Sequence, residues 1–501
     1  MSAVGGIAVL RRLGLLSRVL GTVRCLMSDA TPGRGRLIPG EAISGRGGAL
    51  LAILCVAQVL EVLGVTVVIV ALPAIGTDLG IATAELQLVV TIYAAIYGGL
   101  LLSAGRVADL VDRRLVFACG LLLTLVGAVV CAVASTSIVL LIGRAVQGLG
   151  GAVVTPAALS LLTATFPTGR GRRIALSAWT AAAAGGGALG FVVGGVLVDG
   201  TGWRGVFWLL AVVTVLVLIA MWWVVPSTPA RQRPEGLDLT GSACVTSGLV
   251  LLVWGAGLVD RPSDAPVHPA VPVLLGCALL ILFVVVEKRG RAPLVAWTEL
   301  SNARFMRANG AAFVNTATTS ASGTLVALVA QRVLELDARQ TGLMLLPFSM
   351  MVVLGSLTGS WWLRRPLDHG MAAGLGVVAL AMTALAVATT TRSVTGLVVA
   401  VALAGLGLSW AAVTSTSAAT LALPERRQGV ASGAVNTAAQ IGTALGVAVL
   451  LAVAGTIGVE DTSSGYTVAF IVAAVIAATY SILLLILSRG TDRPRTVAND
   501  I

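Results

Sequence analysis

Long apolar segments recur along nearly the whole chain, and short turns rich in charged residues, glycine or proline separate them. The hydrocarbon core of a bilayer is about 30 Å thick, so a helix that crosses it needs about 20 apolar residues. Segments of that length predict an all-α integral membrane protein with fourteen transmembrane helices. Their expected centres are Val59, Leu101, Leu123, Pro156, Gly190, Val215, Leu251, Leu279, Ser320, Val352, Leu380, Leu406, Leu445 and Ala474.

Composition agrees with a membrane protein and excludes a water-soluble one. Of the 501 residues, 57 % are hydrophobic and only 11 % are charged, and the mean hydropathy is +0.98. Such a chain cannot hide its apolar surface from water. The net charge of +11 does not indicate a nucleic-acid partner, because the arginines lie between apolar spans rather than on one face of a soluble domain.

The basic residues instead predict the orientation of the spans. Short loops rich in lysine and arginine stay in the cytoplasm. If the N-terminus is cytoplasmic, nearly all of the 33 lysines and arginines fall on that side, which also places the C-terminus inside. We therefore expect a multi-pass protein of the plasma membrane. The exceptions are Arg144, inside a span, and the outward Arg204, Arg261, Arg332, Arg339 and Arg392.

The spans divide the chain into five regions. Residues 1–46 are predicted to form a cytoplasmic tail, and residues 489–501 a second one. Residues 47–225 form a six-helix half, 226–306 a linker with two extra helices, and 307–488 a second six-helix half. Residues 1–26 interleave leucine with arginine, as in an amphipathic helix on anionic lipid. The alternative is that Met27 is the true start.

The sequence shows no arrangement of residues that is typical of an enzyme active site. The six cysteines lie singly, both histidines fall in predicted loops, and no phosphate-binding loop or nucleophile with a histidine partner is recognisable. We expect neither a metal site nor a cofactor, and no ATP hydrolysis in this chain.

Two ionisable residues lie deep inside predicted spans. Such residues are expensive in a bilayer unless they face a cavity or a partner, so each is a functional candidate. Glu61 lies in the first span with Gln58 one turn before it, and Arg144 lies in the fourth with Gln147 one turn after it. Together they could bind and release a proton as a cavity fills or dries. Alternatively, they form a static buried pair that holds the two helices in register.

The turn after the second span carries a recognisable motif. Gly105 is followed by Asp109, Arg113 and Arg114, a pattern that resembles the signature of the major facilitator superfamily. The resemblance implies the major facilitator fold, with six, two and six helices. It also implies that Asp109 and Arg113 form an inner-face latch holding the outward-facing state. Three positions depart from the usual leucine, arginine and glycine: Val107, Leu110 and Asp112.

Two further motifs extend the resemblance. Residues 141–148, with Arg144 and Gln147, resemble the fourth-helix motif of proton-coupled members, in which the arginine is tied to proton transfer. The fifth span resembles the glycine-rich motif of antiporters, although Phe191 replaces its proline. Glycines four residues apart also indicate close helix contact by themselves. The glycines concerned are Gly186, Gly190, Gly194 and Gly195.

The first span resembles the fourteen-helix drug:proton antiporter branch. Residues 65–73 carry the likeness, but Gly64 stands where that branch usually has an aspartate. Glu61 lies one turn earlier on the same face, and we hypothesise that it supplies the missing carboxylate. Other segments similar to this branch are residues 203–207, 293–294, 424–429 and 436–440.

The resemblance implies proton-driven export of an organic, drug-like compound by alternating access. With Glu61 as the strong negative charge near the cavity, a lipophilic cation or neutral amphiphile is favoured over an anion. We expect a monomer in the lipid bilayer. The candidate pocket residues are Gln58, Tyr93, Gln147, Asn315 and Trp410, for which hydrogen bonds between helices or interfacial anchoring are the alternatives.

Two other functions remain open at this point. The departures at Gly64 and Phe191 are compatible with a facilitator of a metabolite, siderophore or lipid that is not coupled to protons. A protein of another class, a membrane sensor or scaffold without transport activity, would also need many spans.

Overall fold

The computed structural model describes ten stretches of the chain. Residues 1–44 and 492–501, which make up most of the two predicted tails, lie outside these stretches. The described residues are 45–81, 83–166, 170–225, 239–258, 267–268, 270–289, 301–363, 365–423, 428–457 and 462–491. They form fourteen α-helices. These are α1 Arg46–Leu79, α2 Thr83–Leu110, α3 Arg113–Ala132, α4 Ser137–Thr165, α5 Arg170–Thr201, α6 Trp203–Val224, α7 Leu239–Leu258, α8 Ala270–Arg289, α9 Ala303–Arg332, α10 Ala338–Trp362, α11 Leu367–Thr390, α12 Val394–Ala422, α13 Gln428–Ile457 and α14 Thr462–Thr491.

Each predicted span centre lies in a separate one of these helices. Among the described residues, eleven helices are long and apolar enough to cross a membrane. The other three, α2, α7 and α8, contain shorter apolar stretches at Leu88–Leu101, Thr240–Gly255 and Ala270–Phe283. The chain is therefore a multi-pass membrane protein, while the count of fourteen crossings stays a prediction.

Polar side chains mark where several helices begin. The Asp112 carboxylate accepts a hydrogen bond from the Arg114 backbone N–H at 2.9 Å, so this departure from the usual glycine caps α3. Asn302 caps α9 and also donates to the Ala422 carbonyl at 3.0 Å, which ties the start of α9 to the end of α12. Such caps satisfy backbone N–H groups that have no partner within the helix.

Two groups of helices each enclose an apolar core. We call α1–α6 the N-terminal half, whose core includes Leu54, Phe117 and Phe207, and α9–α14 the C-terminal half. The halves meet along two seams, in which α2 packs against α13 and α5 against α10. A further apolar cluster joins Ile69 and Phe191 of the first half to α9 and α10 of the second.

Helices α7 and α8 form a hairpin beside one seam. Gly248 and Gly276 face each other's backbones, so the two helices approach closely. On the other side, α7 packs against α2 and α13 through Ala94, Val245 and Ala448. The hairpin therefore touches both halves at the α2–α13 seam.

Candidate functional site

Glu61 is a buried carboxylate inside the N-terminal half. It lies near the middle of α1, and only 8 % of the residue is exposed. The Tyr93 hydroxyl of α2 donates a hydrogen bond to its Oε2 atom at 3.0 Å. Gly151 of α4 faces the same carboxylate and both Tyr93 and Tyr97, and a Cβ atom there would collide with all three. Glycine at position 151 therefore lets α4 lie against these three side chains as they are placed here.

Arg144 is fully buried, and its donors bind backbone carbonyls of two other helices. Its Nε donates to the Val89 carbonyl of α2 at 2.8 Å, and its Nη1 donates to the Gly64 carbonyl of α1 at 3.3 Å. Nη1 also donates to Gln147 Oε1 at 2.9 Å. Partners of this kind offset part of the cost of burying a charge. They also hold α1, α2 and α4 in a defined register.

Tyr93 connects the two charged residues. Its ring lies under the Arg144 guanidinium, with 4.5 Å from Cζ to the ring centroid, while its hydroxyl binds Glu61. The ion pairs within 4.0 Å among the described residues are Arg204 with Asp78 and Arg307 with Asp368. Glu61 and Arg144 therefore share one site without forming a direct ion pair. A cation above an aromatic ring is attracted by the electron density of its face.

A cavity of about 10 Å³ lies between these groups. That is close to the smallest volume that holds one water molecule, so an organic substrate cannot occupy it in this conformation. Glu61 and Gly64 line the same cavity, and a Cβ atom on Gly64 would make an ordinary 3.7 Å contact with Leu210. The full lining is Leu60, Glu61, Gly64, Tyr93, Thr124, Arg144, Gln147, Leu210 and Thr214.

Sequence reasoning missed part of this site. The sequence predicts Tyr93 as a pocket residue but not its bond to Glu61, and it does not single out Tyr97 or Gly151. Tyr97 stacks on Tyr93 with ring centroids 5.8 Å apart and donates to Thr155 at 2.9 Å. The run of glycines at 148, 150 and 151, one to two turns after Arg144, is the signal that could have indicated close packing here.

The glycines of α5 lie on two faces of that helix. Gly186, Gly190 and Gly194 approach the backbone of α1, whereas Gly195 approaches Ala338 and Arg339 of α10. The four-residue spacing therefore builds one contact stripe within the N-terminal half. Gly195 adds a contact that crosses between the halves.

The latch residues are only partly within the described structure. The Asp109 side chain lies outside it, so the expected pair with Arg113 stays a prediction. Arg114 donates to the Trp222 carbonyl at 2.6 Å, and its guanidinium lies 4.5 Å from the Trp222 ring centroid. Gly105 lies beside Pro156 of α4. These contacts fix the α2–α3 turn against α4 and the end of α6.

Two of the remaining pocket candidates, Asn315 and Trp410, lie in the C-terminal half, apart from the Glu61 site. Asn315 donates to the Leu408 carbonyl at 3.0 Å, a bond between α9 and α12. The indole N–H of Trp410 donates to Thr358 at 2.9 Å, a bond between α12 and α10. Gln58 has a buried Oε1 atom without a hydrogen-bond partner. Helix-to-helix bonding thus occupies the Asn315 amide N–H and the Trp410 indole N–H, whereas the Asn315 Oδ1 atom is buried without a hydrogen-bond partner. Substrate contact by these residues stays a prediction.

Comparison with known proteins supplies the wider context. The family profile described as Major Facilitator Superfamily matches residues 54–447 and also 310–500. The cephamycin export protein of Amycolatopsis lactamdurans is 33 % identical over 418 residues, which cover 81 % of this chain and 84 % of that protein. The lincomycin resistance protein of Streptomyces lincolnensis is 31 % identical and covers 89 % of this chain and 92 % of its own length.

A third relative and the solved structures agree. The puromycin resistance protein of Streptomyces alboniger is 31 % identical, over 84 % of this chain and 87 % of that protein. A crystal structure of a POT family transporter in complex with 5-aminolevulinic acid superimposes with a TM-score of 0.70, over 90 % of this chain and 98 % of that one. Its sequence identity is 15 %, so this likeness concerns the fold alone.

Proposed function

The chain belongs to the Major Facilitator Superfamily, and from this premise we propose that it exports a small organic antibiotic or drug in exchange for protons. The observation that carries the export proposal is that several relatives, similar over more than four-fifths of this chain, are named as antibiotic export or resistance proteins. The predictions that the chain belongs to this family, and that it is a transporter rather than an enzyme, are thereby confirmed.

The proposed orientation follows from the basic turns. All fourteen helices cross the bilayer, both termini are cytoplasmic, and α7–α8 form the linker between the halves. The two halves rock about a site near the midplane, as in other transporters built from repeats. The end at which α1 and α5 finish then faces outward, and we call it the outer end.

Proton coupling is proposed to run through Glu61. When the site opens to water, the carboxylate of Glu61 releases its proton; in the closed conformation described here, the Tyr93 hydroxyl donates a hydrogen bond to it. When the site is closed and dry, a proton on Glu61 removes the cost of a buried negative charge. Arg144 stays in place because α1 and α2 carbonyls bind it. It thereby positions the helices while the proton moves to and from Glu61.

The proposed substrate is a lipophilic cation or a neutral amphiphile. A cation that enters the cavity while Glu61 is ionised is attracted by that charge, and its arrival favours the deprotonated form. Proton and substrate therefore compete for the same electrostatic environment. An antiporter requires such competition, because the protein must carry either the proton or the substrate, but not both, across the membrane in each step.

Drug tolerance in a host stripped of its own pumps tests the function. Cells that make the protein should tolerate more puromycin or lincomycin, both of which carry an amine, and an uncoupler should abolish the difference. Glu61→Gln should also abolish it, whereas Glu335→Gln, which removes an exposed carboxylate outside the site, should not. Unchanged tolerance to the whole panel, with the protein present in the membrane, would argue for a facilitator or a non-transporting protein instead.

A rescue experiment tests whether Glu61 replaces the branch aspartate. Positions 61 and 64 line one cavity, and a Cβ atom at 64 would make only an ordinary contact with Leu210. Glu61→Gln combined with Gly64→Asp should therefore recover a measurable part of substrate-driven proton movement in proteoliposomes. Full exchange by Glu61→Gln alone would remove Glu61 from the mechanism.

A further inference from the structure

The outer end of the protein holds a carboxylate whose hydrogen bond joins the two halves. Asp199 lies in the last turn of α5, in the N-terminal half. Its Oδ2 atom accepts the backbone N–H of Arg339 at 3.1 Å, in the first turn of α10 of the C-terminal half. The bond therefore exists only while the halves are together at this end.

Helix α10 has a capping interaction of its own that does not involve Asp199. The Asp337 carboxylate accepts the Gln340 backbone N–H at 2.6 Å, and the Gln340 side chain accepts the Asp337 N–H at 3.1 Å. This reciprocal arrangement is a capping box. Asp199 binds the N–H of Arg339, another of the four donors that a helix start leaves unpaired. Asp199 thus adds one hydrogen bond to the start of α10 from the other half, and α10 can form without that bond.

The position of Asp199 in its own helix is electrostatically unfavourable. The C-terminal end of a helix carries partial negative charge, and a carboxylate in the last turn is repelled by it. Asp199 is the one acidic residue in α5. The N-terminal end of α10 carries partial positive charge and offsets that repulsion while the halves are closed. When they separate, the offset is lost and the repulsion within α5 remains.

Other contacts between the halves surround this bond. The Gln331 side chain of α9 donates to the Val70 carbonyl of α1 at 3.2 Å. The Phe191 and Phe348 rings meet edge to face at 6.4 Å between centroids, and Gly195 lies against Ala338. Apolar contacts favour closure but carry little directional information. The Asp199 bond is directional, and because Asp199 is exposed, water can replace its partner when the end opens.

We propose that Asp199 is the positioning residue of an outer latch, which stabilises the outward-closed state by capping α10 across the halves. This proposal rests on the alternating access proposed above. It assigns to an exposed aspartate at the end of the glycine-rich helix a task distinct from proton coupling at Glu61. The outer latch consists of Asp199 and the start of α10, with the Gln331 bond to Val70 as a second link.

Distance measurements between spin labels test the latch without reference to any substrate. Cysteines at Thr77 of α1 and Val394 of α12, both exposed at the outer end, carry the labels in a chain whose native cysteines are replaced. Asp199→Ala should raise the ratio of long to short distances about three- to tenfold, the range expected for losing one hydrogen bond. Asp199→Asn, which keeps an acceptor but loses the charge, should give a smaller increase.

Asp337→Ala is the matched control. It removes a carboxylate that caps the same helix from within the C-terminal half, so it should lower the melting temperature without changing the distance ratio. An Asp199→Ala ratio equal to that of the unsubstituted protein would overturn the latch. A single distance in every variant, at all pH values and with every tested drug, would instead contradict alternating access, and with it the latch.

Discussion

At the scale of single residues, the central feature is a buried acid whose partner comes from a distant part of the chain. Glu61 accepts a hydrogen bond from Tyr93, 32 residues away, and Tyr93 also lies under the Arg144 guanidinium. Arg144 is itself held by two backbone carbonyls and by Gln147, so Tyr93 is the group that links its guanidinium to the carboxylate.

Tyr93→Phe should separate this role from simple packing. The change leaves the ring in place but removes the hydroxyl that binds Glu61, and leaving a buried carboxylate short of a donor costs about 1–3 kcal/mol. We expect substrate-driven proton movement in proteoliposomes to fall about tenfold or more, since each 1.4 kcal/mol is a factor of ten.

Tyr97→Phe is the control for that experiment. It removes a hydroxyl from the neighbouring stacked ring, but that hydroxyl binds Thr155 rather than Glu61. Exchange should stay within about threefold of normal, the effect of one ordinary hydrogen bond. Equal losses in the two variants would show that Tyr93 acts through packing and not through its bond to Glu61.

At the scale of elements, α5 contacts both α1 of its own half and α10 of the other half, because its faces carry different residues. Gly186, Gly190 and Gly194 let it lie against α1. The adjacent face places Phe191 against Phe348 of α10. Where the antiporter motif of the family has proline, this chain thus has an aromatic ring that packs across the seam.

Gly190→Ala should destabilise the protein, and Gly185→Ala should not. A Cβ atom at position 190 would collide with the Thr66 side chain, including its Cβ atom, whereas nothing lies within 4 Å of one at position 185. Threonine is stiff in a helix, so α1 and α5 would have to move apart. We expect a melting temperature lower by several degrees for the first variant in detergent, from a loss of about 1–3 kcal/mol.

The second variant provides the contrast. In a helix, alanine is favoured over glycine by about 1 kcal/mol, so Gly185→Ala should leave the melting temperature unchanged or raise it. Equal destabilisation by both changes would indicate that α5 tolerates no added side chain anywhere, rather than needing close contact with α1 at position 190.

At the scale of the whole molecule, the arrangement depends on two halves and a linker hairpin that touches both. The α7–α8 hairpin lies at the α2–α13 seam, and the α5–α10 seam forms the other contact between the halves. The fold agrees with solved transporters over 90 % of this chain. The number of crossings and their direction stay predictions, which rest on the apolar segments and on the basic turns between them.

Reporter fusions should place alternate connections on opposite sides of the membrane. Fusions within the α2–α3 turn at Asp112 and the α12–α13 connection at Arg426 should both report the cytoplasm. A fusion at Arg392, between α11 and α12, should report the outside. Because an even number of crossings separates the first two positions, opposite readings for them would contradict the fourteen-span topology.

Much of the architecture follows from the sequence alone. Long apolar segments in a membrane favour helices, because a helix pairs all of its backbone polar groups within the segment. All fourteen predicted centres lie in separate helices, and eleven of these, among the described residues, are long and apolar enough to cross a membrane. Membership of the family could likewise be predicted, since short motifs such as the turn at Gly105–Arg114 preserve their spacing.

Only the tertiary structure decided which side chains meet. Sequence reasoning identified Glu61 and Arg144, because charge inside an apolar span is visible in one dimension. Their link through Tyr93, and the bond of Asp199 to α10, join residues 32 and 140 positions apart. Such contacts depend on the rotation and depth of each helix against its neighbours. In a membrane these are set by close packing of small residues rather than by hydrophobic periodicity, since lipid is as apolar as the helix surface.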